Sequence, residues 1–163
     1  MIEKIKLQLQ ILQLQLRIML LKEKLTVPNL NDPRYIIIHH GAGSLNFEQV
    51  NEYHKSKWGF RSSLNFFVGY QYFISYSGRV YQGRADNEEG AHCINFNKQS
   101  IGICLQGNMD IEEPTLAQLT ALEKLVKEKK KQYNIQVING HRDFSSTSCP
   151  GRNVYKLISN LKL

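Results

Sequence analysis

The 163-residue chain has no apolar run of about 18 residues, so nothing in it reads as a membrane-spanning helix. Cysteine is scarce: Cys93, Cys104 and Cys149 are too few for a disulfide framework. Cys104 lies in an apolar run and reads as a buried thiol; Cys93 could pair with it only if the fold joins them. A secretory signal is not visible, because Glu3 interrupts the charged start and Gln8, Gln10, Gln13 and Gln15 break the apolar centre. Acidic residues number 14 against 21 basic ones, a formal net charge of +7. That balance suits an anionic partner such as nucleic acid, a membrane surface or a cell wall. No stacking platform with interleaved arginines is present, so nucleic acid is not expected, and the lysines of residues 124–131 read as a solvated helix face.

What is there reads as one α/β domain behind a helix. The apolar share of 42% is enough for a single core. The first 25 residues contain neither glycine nor proline. Within them Ile2, Ile5, Leu9, Leu12, Leu16 and Met19 alternate steps of three and four. Leu7, Ile11, Leu14, Ile18, Leu21 and Leu25 do the same on a second face. The Leu-Gln alternation also permits a strand, but length and composition favour a coiled-coil-like amphipathic helix with two seams. Two seams need two contacts, so residues 1–26 are expected to drive homo-oligomerisation. Pro28 and Pro33 make 27–34 a linker, and 35–163 form the domain.

Inside that domain, 35–39 reads as a buried strand and 46–57 as a helix bearing Phe47, Val50 and His54. Residues 70–76 and 80–82 flank Ser77-Gly78-Arg79 as a hairpin. Residues 100–105 form another core strand. Thr115 and Gln118 make a capping box opening a helix with Leu116, Leu119, Leu122, Leu125 and Val126 on or near one face. A strand over 135–138 leads into His141, and a last helix begins near Val154. The expectation is a central mixed sheet flanked by helices.

Three residues carry the chemistry. His39 ends the apolar strand, and His141 and Cys149 stand eight apart. Alone, each is ordinary: a histidine beside a strand is usually a satisfied core residue, and a cysteine a small hydrophobe. Together, two imidazoles and a thiolate make an open zinc site, since catalytic zinc keeps three protein ligands and leaves a position for water. His40 is a rival to His39, because strand neighbours point to opposite faces and only one can meet the metal. His54 is a weaker rival.

Several segments then occur in a telling order: Ile36-Ile37-Ile38-His39-His40-Gly41-Ala42-Gly43, Val68-Gly69-Tyr70, Gly90-Ala91-His92, Ser100-Ile101-Gly102-Ile103, and His141 with seven residues before Cys149-Pro150-Gly151. This order resembles the zinc N-acetylmuramoyl-L-alanine amidases of the type 2 amidase and peptidoglycan recognition protein family, over about residues 34–160. The resemblance implies an α/β fold and a zinc held by His39, His141 and Cys149. It implies a catalytic tyrosine at Tyr70 and a substrate-side histidine at His92. Thr147 falls where phage amidases carry lysine and recognition-type amidases often carry threonine. A related group uses a glutamate where Cys104 stands, so that carboxylate is missing. The implied substrate is peptidoglycan, cut at the amide between N-acetylmuramic acid and L-alanine. Trp58, Arg61, Arg84 and His92 are the expected stem-peptide contacts, with Arg61 or Arg84 on a stem carboxylate.

Three rivals stand beside this. A binding-only recognition module would commonly lack the metal cysteine. A cysteine peptidase would use Cys149 and His141 and ignore chelators. An assembly module would make the first helix the point of the protein. The expected location is cytoplasmic until release, or extracellular at the cell wall if a leader was removed.

Overall fold

Three apolar segments, 35–40, 72–74 and 100–105, form the middle of one sheet because they are buried on both faces. The computed structural model describes residues 2–25 and 30–159. Strands β1 (Tyr35–His40), β2 (Tyr72–Ile74), β3 (Val80–Gln82), β4 (Ser100–Leu105) and β5 (Val137–Gly140) are ordered β3-β2-β4-β1-β5. β1 pairs in parallel with β4 and β5, β2 pairs in parallel with β4, and only β3 is antiparallel. β1 and β4 read as near-continuous apolar runs, as parallel strands covered on both faces do.

The period of two divides β1 between two cores. Ile36 and Ile38, with Ile101, Ile103 and Leu105, pack against Leu122, Leu125 and Val126 of helix α3 (Leu116–Tyr133). On the opposite face, Phe73 and Cys104 meet Phe47 and Val50 of helix α2 (Phe47–Lys57). Burial of each large side chain contributes roughly 1.5–3 kcal/mol. Leu122→Ala would cost about 2–5 kcal/mol through the cavity it leaves.

Caps fix where both helices start. Asn46 accepts from Gln49 N at 2.9 Å, and Gln49 returns the bond to Asn46 N at 3.0 Å. Thr115 and Gln118 do the same for α3, at 3.0 and 3.1 Å. A left-handed Asn134 ends α3.

Four local expectations shift. Leu116 is 81% exposed, because it belongs to the first turn of α3, ahead of the turns that cover the sheet. Ile135 donates its N–H back to Lys130 O at 3.1 Å, so β5 pairs with β1 only from Val137 onward. Lys129 leaves the solvated lysine face and is buried against Asp86 at 2.9 Å, beneath the Tyr72 ring. Asn31, expected in the linker, is buried and bonded to Ser100 N, Ser100 O and Asp86 O. Residue 26 and residues 27–29 of that linker lie outside the described residues.

Helix α1 (Ile2–Leu25) is helical as its composition suggests. Every side chain from Lys6 to Met19 is exposed, and the eight large apolar ones there are 46–67% exposed. Among the described side chains, both seams lie open. Helix α4 (Arg152–Tyr155) closes the domain, burying Val154.

Candidate metal centre

The parallel strands end at one edge of the sheet, and the site forms there, where α/β folds place ligands. His39 is the fifth residue of β1, on the α2 face, paired in register with Cys104. His141 follows the last residue of β5 and opens a single 3-10 turn. Cys149 returns from the next loop. Asp110 holds that loop: its carboxylate accepts from Ser148 Oγ at 2.9 Å and Arg152 N at 3.0 Å. Asp143 braces the His141 turn, accepting from Gly140 N at 2.8 Å and Tyr155 OH at 2.6 Å.

The donor atoms of His39, His141 and Cys149 all lie within 4.8 Å of one another. His39 Nδ1 is 3.6 Å from Cys149 Sγ. Two imidazole nitrogens and one sulfur from three separate segments suit zinc. Burial, then His92 and His141, hold His39 well below the usual histidine range, and burial also lowers His141. Both rings are therefore neutral, as ligands must be. Burial pushes the Cys149 thiol up to about 12, partly offset by the His40 backbone N–H and Arg142. Such a thiol needs a bound cation to ionise.

His40 turns to the other face. Its Nδ1 accepts from Met109 N at 3.0 Å. His54 is a core histidine whose Nδ1 accepts from Gly69 N at 3.0 Å, fixing the backbone beside Tyr70. These contacts keep both rings out of the donor cluster.

The cluster sits in a cleft of about 760 Å³. Trp58, Phe60, Tyr70, His92, Ile94 and Thr147 form its walls. The Tyr70 and His39 ring centres are 5.1 Å apart. Burial, then the Cys104 and Cys149 thiols, keep the Tyr70 phenol well above its ordinary range, so it is a proton-bearing donor. Beside this cleft lies a second groove of about 560 Å³, lined by Phe60, Arg61, Arg84, Glu88, Glu89 and Asn97 among others.

The chain matches the N-acetylmuramoyl-L-alanine amidase family over residues 29–152. It belongs to that family. It is 34% identical over 136 residues to peptidoglycan-recognition protein SC2 of Drosophila melanogaster, covering 76% of this chain and 71% of that one. It is 36% identical over 141 residues to peptidoglycan recognition protein 1 of Mus musculus, covering 78% and 74%. Among solved structures it is similar to the N-acetylmuramoyl-L-alanine amidase LysC from Clostridium intestinale URNW, with a TM-score of 0.72 at 29% identity, covering 82% and 87%. Amidases and recognition proteins thus share this fold, and the chain's function is peptidoglycan-related.

Within the amidase-family fold the expected residues separate into two groups. His39, His141, Cys149, Tyr70, His92, Thr147 and Trp58 share the cleft, and Arg61 lines the adjoining groove. Thr147 Oγ1 accepts from Cys149 N at 3.2 Å. Arg84 lines the same groove from within its wall. Its side chain is 5% exposed and pairs with Glu88 at 3.3 Å. It also donates to the carbonyls of Val68, Phe60 and Glu89. Its charge is met by Glu88, and it braces the groove wall. Asp110 and Asp143 carried no sequence signal, because Ser148, Arg152 and Tyr155 reach them only once the loops have folded.

Proposed function

We propose that this chain is a peptidoglycan hydrolase cutting the amide between N-acetylmuramic acid and the L-alanine of the stem peptide. The observation that carries the reading is the convergence of His39, His141 and Cys149 at the floor of an open cleft. A zinc ion held by those three residues would supply Lewis acidity toward the scissile carbonyl and an acidified water.

The chain's own groups do the rest. Tyr70, with its proton retained, donates to the oxygen that gains charge as the carbonyl is attacked. The Thr147 hydroxyl accepts from Cys149 N and keeps its own hydrogen for a second donation. Trp58 and Phe60, exposed at 42% and 60%, present apolar surface to the ligand. Arg61 offers a free guanidinium to a stem carboxylate.

Two other readings are weaker. A binding-only module has no need of the complete donor set. A thiol peptidase needs a low thiol pKa, whereas burial raises that of Cys149. The test is metal content. The purified chain should carry about one zinc per molecule, because three ligands define one open site. Cys149→Ser and His39→Ala should lose most of it, and His40→Ala should keep it. Full zinc occupancy in Cys149→Ser would remove that residue from the ligand set.

A further inference from the structure

We propose that His92 is a positioning residue for His39, acting through a one-way hydrogen-bond chain that ends on the Phe96 carbonyl. This inference rests on His39 being a metal ligand. The His39 Nδ1 atom faces Cys149 Sγ at 3.6 Å. Its other ring nitrogen, Nε2, lies 3.0 Å from His92 Nδ1. An imidazole that gives its Nδ1 lone pair to a cation carries its proton on Nε2. That N–H needs an acceptor, and His92 Nδ1 accepts only while His92 holds its own proton on Nε2. His92 Nε2 lies 3.5 Å from Ser100 Oγ, which can take that proton's bond. Ser100 Oγ in turn donates to Phe96 O at 2.7 Å. Every proton then has one place, and the direction runs from His39 through His92 and Ser100 to a carbonyl that can only accept.

The fold holds the His92 ring in that role. A Cβ added at Gly102 would stand 2.6 Å from His92 Cδ2, and one at Gly90 would stand 2.5 Å from the same atom. The absence of a side chain at these two glycines is what lets the ring lie where it does. The backbone is held too, since His92 N and Cys93 N donate to Asn97 Oδ1 at 2.9 and 2.8 Å. A metal-binding histidine usually donates its second N–H to a carboxylate, a carbonyl or water, which fixes tautomer and ring angle. Here a neutral imidazole takes that place, and the carbonyl stands two links away.

The test is zinc affinity of the full chain, measured by competition with a chromophoric chelator. His92→Phe keeps a ring in the slot and removes the acceptor. His92→Asn keeps an acceptor, because Asn Oδ1 sits where His Nδ1 does. Loss of the outer partner should weaken zinc binding by roughly 10- to 100-fold in His92→Phe. His92→Asn should recover most of that loss, and Ser100→Ala, one link further out, should show a smaller loss in the same direction. The cobalt-substituted protein should show a shifted visible spectrum in His92→Phe and a near-native one in His92→Asn. Wild-type affinity in both His92→Phe and Ser100→Ala would overturn the chain. So would an equal loss in His92→Phe and His92→Asn, which would assign His92 to packing alone. Parallel His39→Ala and Cys149→Ser samples separate the two levels: zinc retained there sinks the metal reading itself, whereas zinc lost there with His92→Phe unaffected sinks only the positioning role.

Discussion

Glu88→Ala should be among the most damaging single changes outside the metal cluster. The Glu88 side chain is 8% exposed and that of Arg84 is 5% exposed. Glu88 accepts from Ser63 N at 3.1 Å on both oxygens, from Ser63 Oγ at 2.9 Å and from Arg84 Nη1 at 3.3 Å. Arg84 in turn reaches the Phe60 carbonyl. The pair therefore ties the segment carrying Phe60 and Arg61 to the groove wall. Removing the carboxylate leaves a buried guanidinium without its nearest counter-charge, which costs about 3–5 kcal/mol. That is a large share of the roughly 5–15 kcal/mol that holds a domain folded. With a urea slope of about 2 kcal/mol/M, the midpoint should fall by roughly 1.5–2.5 M. Trp58, the single tryptophan, is a convenient fluorescent probe. Glu88→Gln keeps the shape and should lose less. Arg84→Met combined with Glu88→Leu should regain most of the stability, because no charge is left buried. A midpoint within about 0.5 M of wild type for Glu88→Ala, at that urea slope, would show the pair to be solvated and the reasoning wrong.

Three further outcomes follow from other contacts. Tyr70→Phe should cut turnover by roughly ten- to a thousandfold with zinc and fold intact, and near-normal turnover would make Tyr70 a packing residue. His54, lowered by burial and then by Lys57 and Arg84 to about 4, favours its neutral form in the fold. Its contribution is complete above the unfolded value near 6.5 and is lost as pH falls through about 4, so His54→Asn should flatten the stability loss between those limits; an unchanged urea profile across that range would contradict it. Deleting residues 1–25 should turn an oligomer into a monomer while hydrolysis of a small soluble muropeptide is retained, since the eight large apolar side chains exposed between Leu7 and Met19 favour self-association. Light scattering that finds the full chain monomeric at tens of micromolar would refute that.

Much of the layout was legible because it depends on short-range patterns. The apolar run 35–38 could only be a doubly covered strand, and the Thr115–Gln118 box marked the start of α3. The proximity of His39, His141 and Cys149 was legible for a different reason: their order along the chain, with Tyr70 and His92 between, matches a known arrangement. What could not be read were pairings across long separations. Lys129 looks like its lysine neighbours until Asp86 is placed beneath it. Arg84 looks free until Glu88 and three carbonyls surround it. His92 could be placed near the site, but not that it faces the rear nitrogen of His39 rather than the open cleft alone. Ile135 is apolar enough for a strand, yet the α3 carbonyl of Lys130 claims its N–H first.

The measurement that bears most directly on the central proposal is a digest of purified peptidoglycan, with and without a strong chelator, followed by mass analysis of the released ends. The proposal expects free stem peptides with an L-alanine amino terminus, lost with chelator and restored by added zinc. Wall binding without release would instead make this a recognition protein, and release that ignores the chelator would make Cys149 a nucleophile rather than a ligand.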